Sequence, residues 1–353
     1  VVIGQAECVE TECAAADMLR QCRDRLAGAV PGAGLLFSAS GFDLEMALGM
    51  VWEAFPGLPL AGCTTAGTFS TALGPSRDSI CLMLFVSDTV RFAVGLGQDA
   101  ATDGARAARE AAQMAQAAHP GVPAAMAFAF PDVKDAAPGE VVAALSEALG
   151  CPVFGGFAGG EGRDDVRQFF GRMACSGAVP VLVLFGPAQA VFRVSNSWRP
   201  VGRRVRVDAV SGKKVLRIDG KTALEFYRDT LGPHGLPASE MPLAVFEDEG
   251  RFAIRGPLEY DESDGSIVFS DAVPEGAQVR ITEASREVLL EDVARSLTDL
   301  AASLPPGFVP DGALAFSCST RRYILGLRAR EEFDLMRRIL PLSLIHISQG
   351  IVR

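Results

Sequence analysis

Histidine is nearly absent from this chain, with three in 353 residues, and tryptophan and tyrosine are as rare, with two and three. His119 and His234 stand in Pro/Gly-rich loops and His346 near the end, so none is placed by sequence to activate a neighbouring nucleophile. Positive charge is also short. Lys and Arg number 33 against 43 Asp and Glu, and the net charge of −10 argues against a nucleic-acid partner or an anionic membrane surface. No apolar run approaches the roughly 20 residues of a membrane span. The longest, around 179–185, is strand-length. There is no Gly-x-Ser-x-Gly and no Walker loop, and Gly95-x-Gly97 lacks the third glycine of a dinucleotide fingerprint. The eight cysteines show no paired short spacings, and most lie in apolar strings such as Ile80-Cys81-Leu82. That pattern predicts buried, reduced thiols and a cytoplasmic compartment. Cys8, Cys13 and Cys22 fall on an expected N-terminal helix at spacings that miss the zinc patterns.

What is present is a repeat. Pro59-Leu-Ala-Gly-Cys-Thr-Thr-Ala-Gly67 is nearly rewritten ninety-three residues later as Pro152-Val-Phe-Gly-Gly-Phe-Ala-Gly-Gly160. Each copy follows a strand-like segment, Leu35–Ser38 or Ala127–Phe130, and an apolar-periodic run, Leu44–Phe55 or Val141–Leu149. A strand–helix–strand–glycine turn used twice is a structural unit, and glycine at a strand end lets backbone approach a ligand.

The rest of the chain reads as follows. An amphipathic helix is expected over 11–28. A hairpin with an Asp88-Thr89 turn is expected from strands 79–87 and 90–97, then a helix over 102–118. Strands are expected over 168–175, 179–185 and 190–197. Thr222 should cap a helix over 223–231, and a further helix covers 286–303. A third unit opens with Gly312–Ser319 and a helix from Glu331 to Leu340, with Phe333, Met336 and Leu340 on one face. Its glycine turn is missing. The final string Pro341–Ser348 resembles translated sequencing-adapter read-through, and the third unit is expected to be truncated. The fold class expected is α/β, α+β layered, with repeated strand–helix–strand–hairpin units and largely antiparallel sheets flanked by helices.

Together these residues resemble the FIST sensory-domain family, named for F-box and intracellular signal transduction proteins. The matching motifs are Gly62–Gly67, Gly155–Gly159, Trp198-x-Pro200-x-Gly202, Asp219-Gly220-x-x-Ala223-x-x-x-Tyr227, and Phe316-Ser317-Cys318-x-x-Arg321 followed by Glu331 and Glu332. The likeness runs over about 30–340. Two departures stand out. Thr68 takes the place where the family usually has an acid, and the family's closing Gly-x-x-x-x-Gly-Glu segment is absent. The expected organisation is an N-terminal helix within 1–30, a FIST N-like domain over 31–200 with units at 35–97 and 124–198, a FIST C-like domain over 201–341, and an atypical tail at 342–353.

The resemblance implies a bacterial, cytoplasmic sensory module that binds a small ligand, an amino acid or another small carboxylate, and signals to a separate output protein. It implies no cofactor, no metal, no nucleic acid, no membrane and no catalytic residue. The expected ligand site joins Gly62, Cys63, Thr64, Thr65 and Gly67 of the first turn to Gly155, Gly156, Phe157 and Gly159 of the second. Cys318, Arg321 and Glu331 complete it. Glycine N–H groups and Arg321 suit a carboxylate, and Glu331 suits an ammonium group. Each residue also has a plain structural reading: tight-turn chemistry for the glycines and threonines, a solvated charge for Arg321, first-turn helix stabilisation for Glu331, and core for Trp198. Two alternatives stand beside the sensor. One is a hydrolase or transferase using Cys63 as nucleophile, and the other an interaction scaffold without ligand.

Overall fold

The computed structural model of the chain describes residues 1–132, 138–160, 165–248 and 250–340, and the backbone of 344–348 and 350–351. It opens with β1 (Val2–Ala6) and α1 (Thr11–Leu26). The first repeat is β2 (Ala33–Ser38), α2 (Leu44–Ala54), β3 (Leu60–Thr64), a short hairpin of β4 (Thr68–Ser70) and β5 (Gly74–Ser76), and β6 (Ile80–Phe85). Next come β7 (Arg91–Gly97) and α3 (Gly104–Ala117). The second repeat is β8 (Ala124–Ala129), α4 (Pro138–Leu149), β9 (Val153–Phe157), a hairpin of β10 (Gln168–Phe170) and β11 (Met173–Cys175), and β12 (Val179–Phe185).

A separate stretch follows: β13 (Arg199–Pro200), β14 (Val205–Ser211), β15 (Lys214–Ile218), β16 (Lys221–Thr222), α5 (Ala223–Leu231), β17 (Leu243–Phe246), β18 (Phe252–Arg255), β19 (Pro257–Asp261), β20 (Ser266–Phe269) and β21 (Gln278–Glu283). Then come α6 (Arg286–Ala302), β22 (Ala313–Ser317), α7 (Ser319–Leu325), α8 (Ala329–Ile339), β23 (Leu344–Ser348) and β24 (Gly350–Ile351). The contacts divide the chain into two compact units. One holds 1–193, 296–319 and 329–353, and the other holds 194–295 and 320–328.

In the first unit the first two repeats build the same ladder, and the third shares its parallel pair. β2 is parallel to β3 and antiparallel to β6; β8 is parallel to β9 and antiparallel to β12; β22 is parallel to β23. Such a pair leaves the far edge of its second strand unpaired, and an open edge must be covered. Neighbours cover it in turn. β10 of the second repeat lies antiparallel on β3, β4 of the first lies on β23, and β24 lies on β9. The three repeats thus close each other's edges around a ring. In this ring 344–348 occupies the strand position that β3 and β9 hold in their own repeats.

Burial alternation sets the layers. On β2, Ala33, Leu35 and Phe37 enter a core shared with Met126, Phe130 and Leu182 of the second repeat, while Leu36 turns to α1 and α2. The two large sheets therefore face each other through one apolar layer. A further core lies between the second sheet and the alanine face of α3 with α4. On β7, a Cβ at Gly95 or Gly97 would lie 1.9 or 1.8 Å from the carbonyl oxygens of Ala111 and Ala107, so these glycines serve close helix packing. Asp43 and Asp103 cap α2 and α3 by accepting from the N–H groups of Met46 and Arg106, at 3.0 and 2.8 Å.

Three expectations are corrected. Segments 79–87 and 90–97 do not form a hairpin, because β6 and β7 belong to different sheets. β6 is apolar on both faces, with Ile80, Leu82 and Leu84 towards the helices and Cys81 and Met83 towards the other sheet. Both its edges are taken by β1 and β2, so β7 pairs with β12 instead. Residues 190–197 form no strand, since β12 already has β7 and β8 on its two edges. Cys8 precedes α1 and is not on it.

The second unit is a nine-stranded antiparallel sheet with α5 against it. Thr222 and Glu225 form a reciprocal capping box at the start of α5. Tyr227 is fully buried with its hydroxyl donating to the Met241 carbonyl at 3.0 Å, and Trp198 is a core residue whose Nε1 donates to the Glu240 carbonyl at 3.3 Å.

Candidate functional site

The glycine turns follow the carboxyl ends of the parallel pairs, β3 and β9, which is where α/β sheets commonly bind ligands. Gly62 and Gly155 have φ of 153° and 155°, and a Cβ on either would fall 1.8 or 1.9 Å from the carbonyl oxygen of Leu36 or Ala129. Only glycine fits both the conformation and the gap. The next bond is also repeated: Thr65 N–H donates to the Ser38 carbonyl at 2.9 Å, and Ala158 N–H to the Pro131 carbonyl at 3.2 Å.

The structure brings the two turns together. Gly159 N–H donates to the Thr64 carbonyl at 2.9 Å. Thr64 is also tied to Arg167, whose N–H donates to its hydroxyl at 2.9 Å and whose carbonyl accepts Thr64 N–H at 2.9 Å. Thr65 closes its own turn: its hydroxyl donates to the Gly67 carbonyl at 2.7 Å and accepts from Gly67 N–H at 3.1 Å. Both threonines are buried, as is Gly156, whereas Phe157 and Gly159 are half-buried.

Cys63 is fully buried in the layer between the sheets, in one core with Phe37 and Phe130. The exposed nucleophile that its strand-end position suggested is not formed. Cys318, just after β22, is half-buried, and Glu331, in the first turn of α8, is exposed while its neighbour Glu332 is buried. Arg321 lies on α7 in the other compact unit, where it is buried and donates through Nη1 to the Ser197 hydroxyl at 3.2 Å.

Sequence reading missed the residue with the sharpest local chemistry. Gln168 stands opposite Cys63 in the β10–β3 ladder, so both side chains lie on the sheet face that looks into the inter-sheet layer. Its Oε1 accepts from Ala178 N–H at 3.4 Å, which fixes the orientation of the amide. Its Nε2 is the one buried side-chain nitrogen or oxygen without a hydrogen-bond partner among the described residues. Asp132, after the end of β8, is tied to the same Gly177-Ala178 segment, accepting from Gly177 N–H at 3.2 Å while its own N–H donates to the Ala178 carbonyl. A signal existed. Thr68-Phe69 and Gln168-Phe169 open the two hairpins alike, each placing one buried polar residue before a buried phenylalanine.

Thr68 itself is satisfied. It belongs to a buried network centred on Gln5, whose Nε2 donates to the Thr68 hydroxyl, the Gly74 carbonyl and the Ser79 hydroxyl at 3.1–3.2 Å, while Oε1 accepts from Ser70 at 2.6 Å. The second unit holds a cavity of about 200 Å³ over Val201, Phe226 and Ile281. Its charges pair with each other, Arg203 with Asp219 and Lys221 with Asp229, so its mouth carries no uncompensated charge for a single anion.

The FIST N domain family model matches residues 32–221, and the FIST C domain model matches 223–345. The chain belongs to the FIST family. FIST domains are sensory, non-catalytic domains of signal transduction. This FIST protein is also similar to uncharacterized proteins of Mycobacterium tuberculosis and Mycobacterium bovis. Each is 29% identical over 185 residues, 49% of this chain and 48% or 47% of the relative. The chain spans about half the length of the curated relatives it matches. Among the described residues no helix is long and apolar enough to cross a membrane.

Proposed function

We propose that this FIST protein is a cytoplasmic sensor of a small carboxylate, an amino acid being the favoured kind, that passes its signal to a separate output protein. The observation that carries the reading is the Gln168 amide. A buried N–H group without an acceptor costs about 1–3 kcal/mol, so a site that keeps one is suited to receive an acceptor. A carboxylate oxygen is a strong one. The amide stands at the carboxyl ends of the parallel pairs, beside the joined glycine turns. The ligand site we propose takes the glycine turns from Gly62 to Gly67 and Gly155 to Gly159, with Gln168 added. Cys318 and Glu331 remain proposed members, Glu331 for an ammonium group. The domain organisation we propose keeps the N-like and C-like parts at 31–200 and 201–341.

Burial of Cys63 disfavours the reading in which it is a nucleophile. The test is a thermal melt against a panel of amino acids and small carboxylates. Ligand at about 100 times its dissociation constant adds roughly 2.7 kcal/mol to stability, a readily measured shift in midpoint. A selective shift supports the sensor. A sharp melt that no member of the panel moves removes it in favour of a scaffold.

A further inference from the structure

The solvent side of α2 is unlike that of the helix beside it. α1, which packs against α2, shows Glu12, Arg20, Arg23, Asp24 and Arg25 to water. α2 buries Ala47, Leu48 and Val51 in the core beneath it, and its opposite side is formed by Glu45, Met46, Gly49, Met50, Trp52 and Glu53. Met46 and Trp52 are 44% and 36% exposed. Met46, Gly49, Met50 and Glu53 follow the i, i+3, i+4, i+7 spacing that makes one row on a helix. A helix that is apolar on nearly every side is ordinarily covered on every side. Gly49 is a second, independent observation. Glycine inside a helix is destabilising relative to alanine, and nothing within the described chain requires it here, since a Cβ at 49 would meet no atom within 4 Å. It leaves a notch between Met46, Met50 and Trp52 where another backbone can come close.

We propose that this face of α2 is a docking surface for a basic amphipathic helix of a partner protein. Charge decides the occupant. Asp43 at the cap, Glu45 and Glu53 carry the charge of the helix, and no Lys or Arg stands between Arg25 and Arg77 in the sequence. A second copy crossing antiparallel at Gly49 would set Glu45 of one chain against Glu53 of the other, and a parallel crossing would set each acid against itself. Acid meets acid in both arrangements, so the face is not complementary to its own kind. A helix with Lys or Arg beside its apolar stripe is complementary. Glu45 and Glu53 lie about 12 Å apart along the axis, which sets the spacing of its basic residues. Its apolar stripe covers Met46, Met50 and Trp52, and the methionines adapt to its shape.

α2 joins β2 to β3, and the Gly62–Gly67 turn follows β3, so the docked helix rests on the repeat that carries the first glycine turn. A separate output protein would meet this surface on the sensor itself. The docking needs no ligand at the glycine turns, so the two readings fail independently.

The experiment titrates the full chain with a synthetic peptide of about five helical turns, built of Leu and Lys at helical spacing, and follows tryptophan fluorescence. Trp198 is in the core, so Trp52 reports. Its emission should move saturably to shorter wavelength, and a Leu/Glu peptide of the same pattern should bind about tenfold more weakly or worse. Gly49→Arg fills the notch and repels lysine, and should weaken binding by about tenfold or more. Glu291→Gln, the same change of charge at an exposed site on α6 in the other compact unit, should leave binding as it was. Replacing both acids, Glu45→Lys with Glu53→Lys, should reverse the preference in favour of the Leu/Glu peptide. Matching thermal melts show that each variant keeps its fold. A Leu/Lys peptide that leaves Trp52 unmoved, or an affinity that Gly49→Arg does not change, overturns the proposal. So does a dimer that Gly49→Arg dissociates, which makes a second copy the occupant, or a Trp52 shift produced by phosphatidylcholine vesicles and not by the peptide, which makes it a lipid surface.

Discussion

The amide N–H of Gly159 donates to the carbonyl of Thr64 at 2.9 Å, and this bond makes one structure of two glycine turns that lie almost a hundred residues apart. Each turn is itself shaped by a glycine pressed against the neighbouring parallel strand. The pair formed by Gly62 and the Leu36 carbonyl is the tighter of the two.

Gly62→Ala should therefore destabilise the protein by about 3 kcal/mol, combining overpacking with a positive φ that an L side chain rarely adopts. Gly155→Ala should do the same at the Ala129 carbonyl. Gly41→Ala, where a Cβ meets nothing within 4 Å, is the control. Chemical denaturation of the three variants checks the order.

Gln168→Leu separates ligand recognition from stability. Without ligand, removing an unpaired amide offsets the loss of the Ala178 bond, and stability should change by less than about 1 kcal/mol. The midpoint shift produced by a stabilising carboxylate should disappear. A shift that persists in Gln168→Leu removes this residue from the binding site.

Gln5→Leu should behave in the opposite way. The Gln5 amide is fully engaged, and its loss takes one partner from each of the buried Thr68, Ser70 and Ser79 hydroxyls, leaving Thr68 and Ser79 only each other and Ser70 the Ala72 N–H. A cost of about 3 kcal/mol is expected. Hydrogen exchange should rise first at the β4–β5 hairpin, whose strands rest on that network.

Acid stability has an identifiable local contributor. The Lys214 ammonium 2.8 Å away, and then the Ser266 hydroxyl and N–H, hold Asp264 down at about 2 from an ordinary 3.8. A depressed carboxylate contributes stability that is complete above its unfolded value and is lost as pH falls through its folded value. Asp264→Asn should flatten the acid limb between about pH 4 and pH 2, by a small amount because the pair is at the surface. Denaturant midpoints measured across that window for both proteins give the comparison.

The helices were legible because their signals are local. Thr222 with Glu225, and the apolar spacing of Phe333, Met336 and Leu340, lie within a few residues of the structure they specify, and all three apolar side chains are buried as the spacing requires. The hairpin expected at Asp88-Thr89 failed for the converse reason. Nothing near the turn records that β6 already has β1 and β2 on its edges. In the candidate site, the glycines announced themselves by repetition. Gln168 did not, since the setting of its amide follows from Ala178, just before β12, and from Cys63 on β3.

The sequence alone determined the repeated strand–helix–strand–glycine unit, because side-chain periodicity, caps and glycine conformation act over a few residues. Tertiary structure alone decided that each repeat lends a segment to cover a neighbour's open edge, that Cys63 is sealed between two sheets, and that Gln168 carries an unused donor beside it. Those outcomes depend on which edges and faces remain uncovered once every strand has been placed, and no local stretch of sequence holds that information.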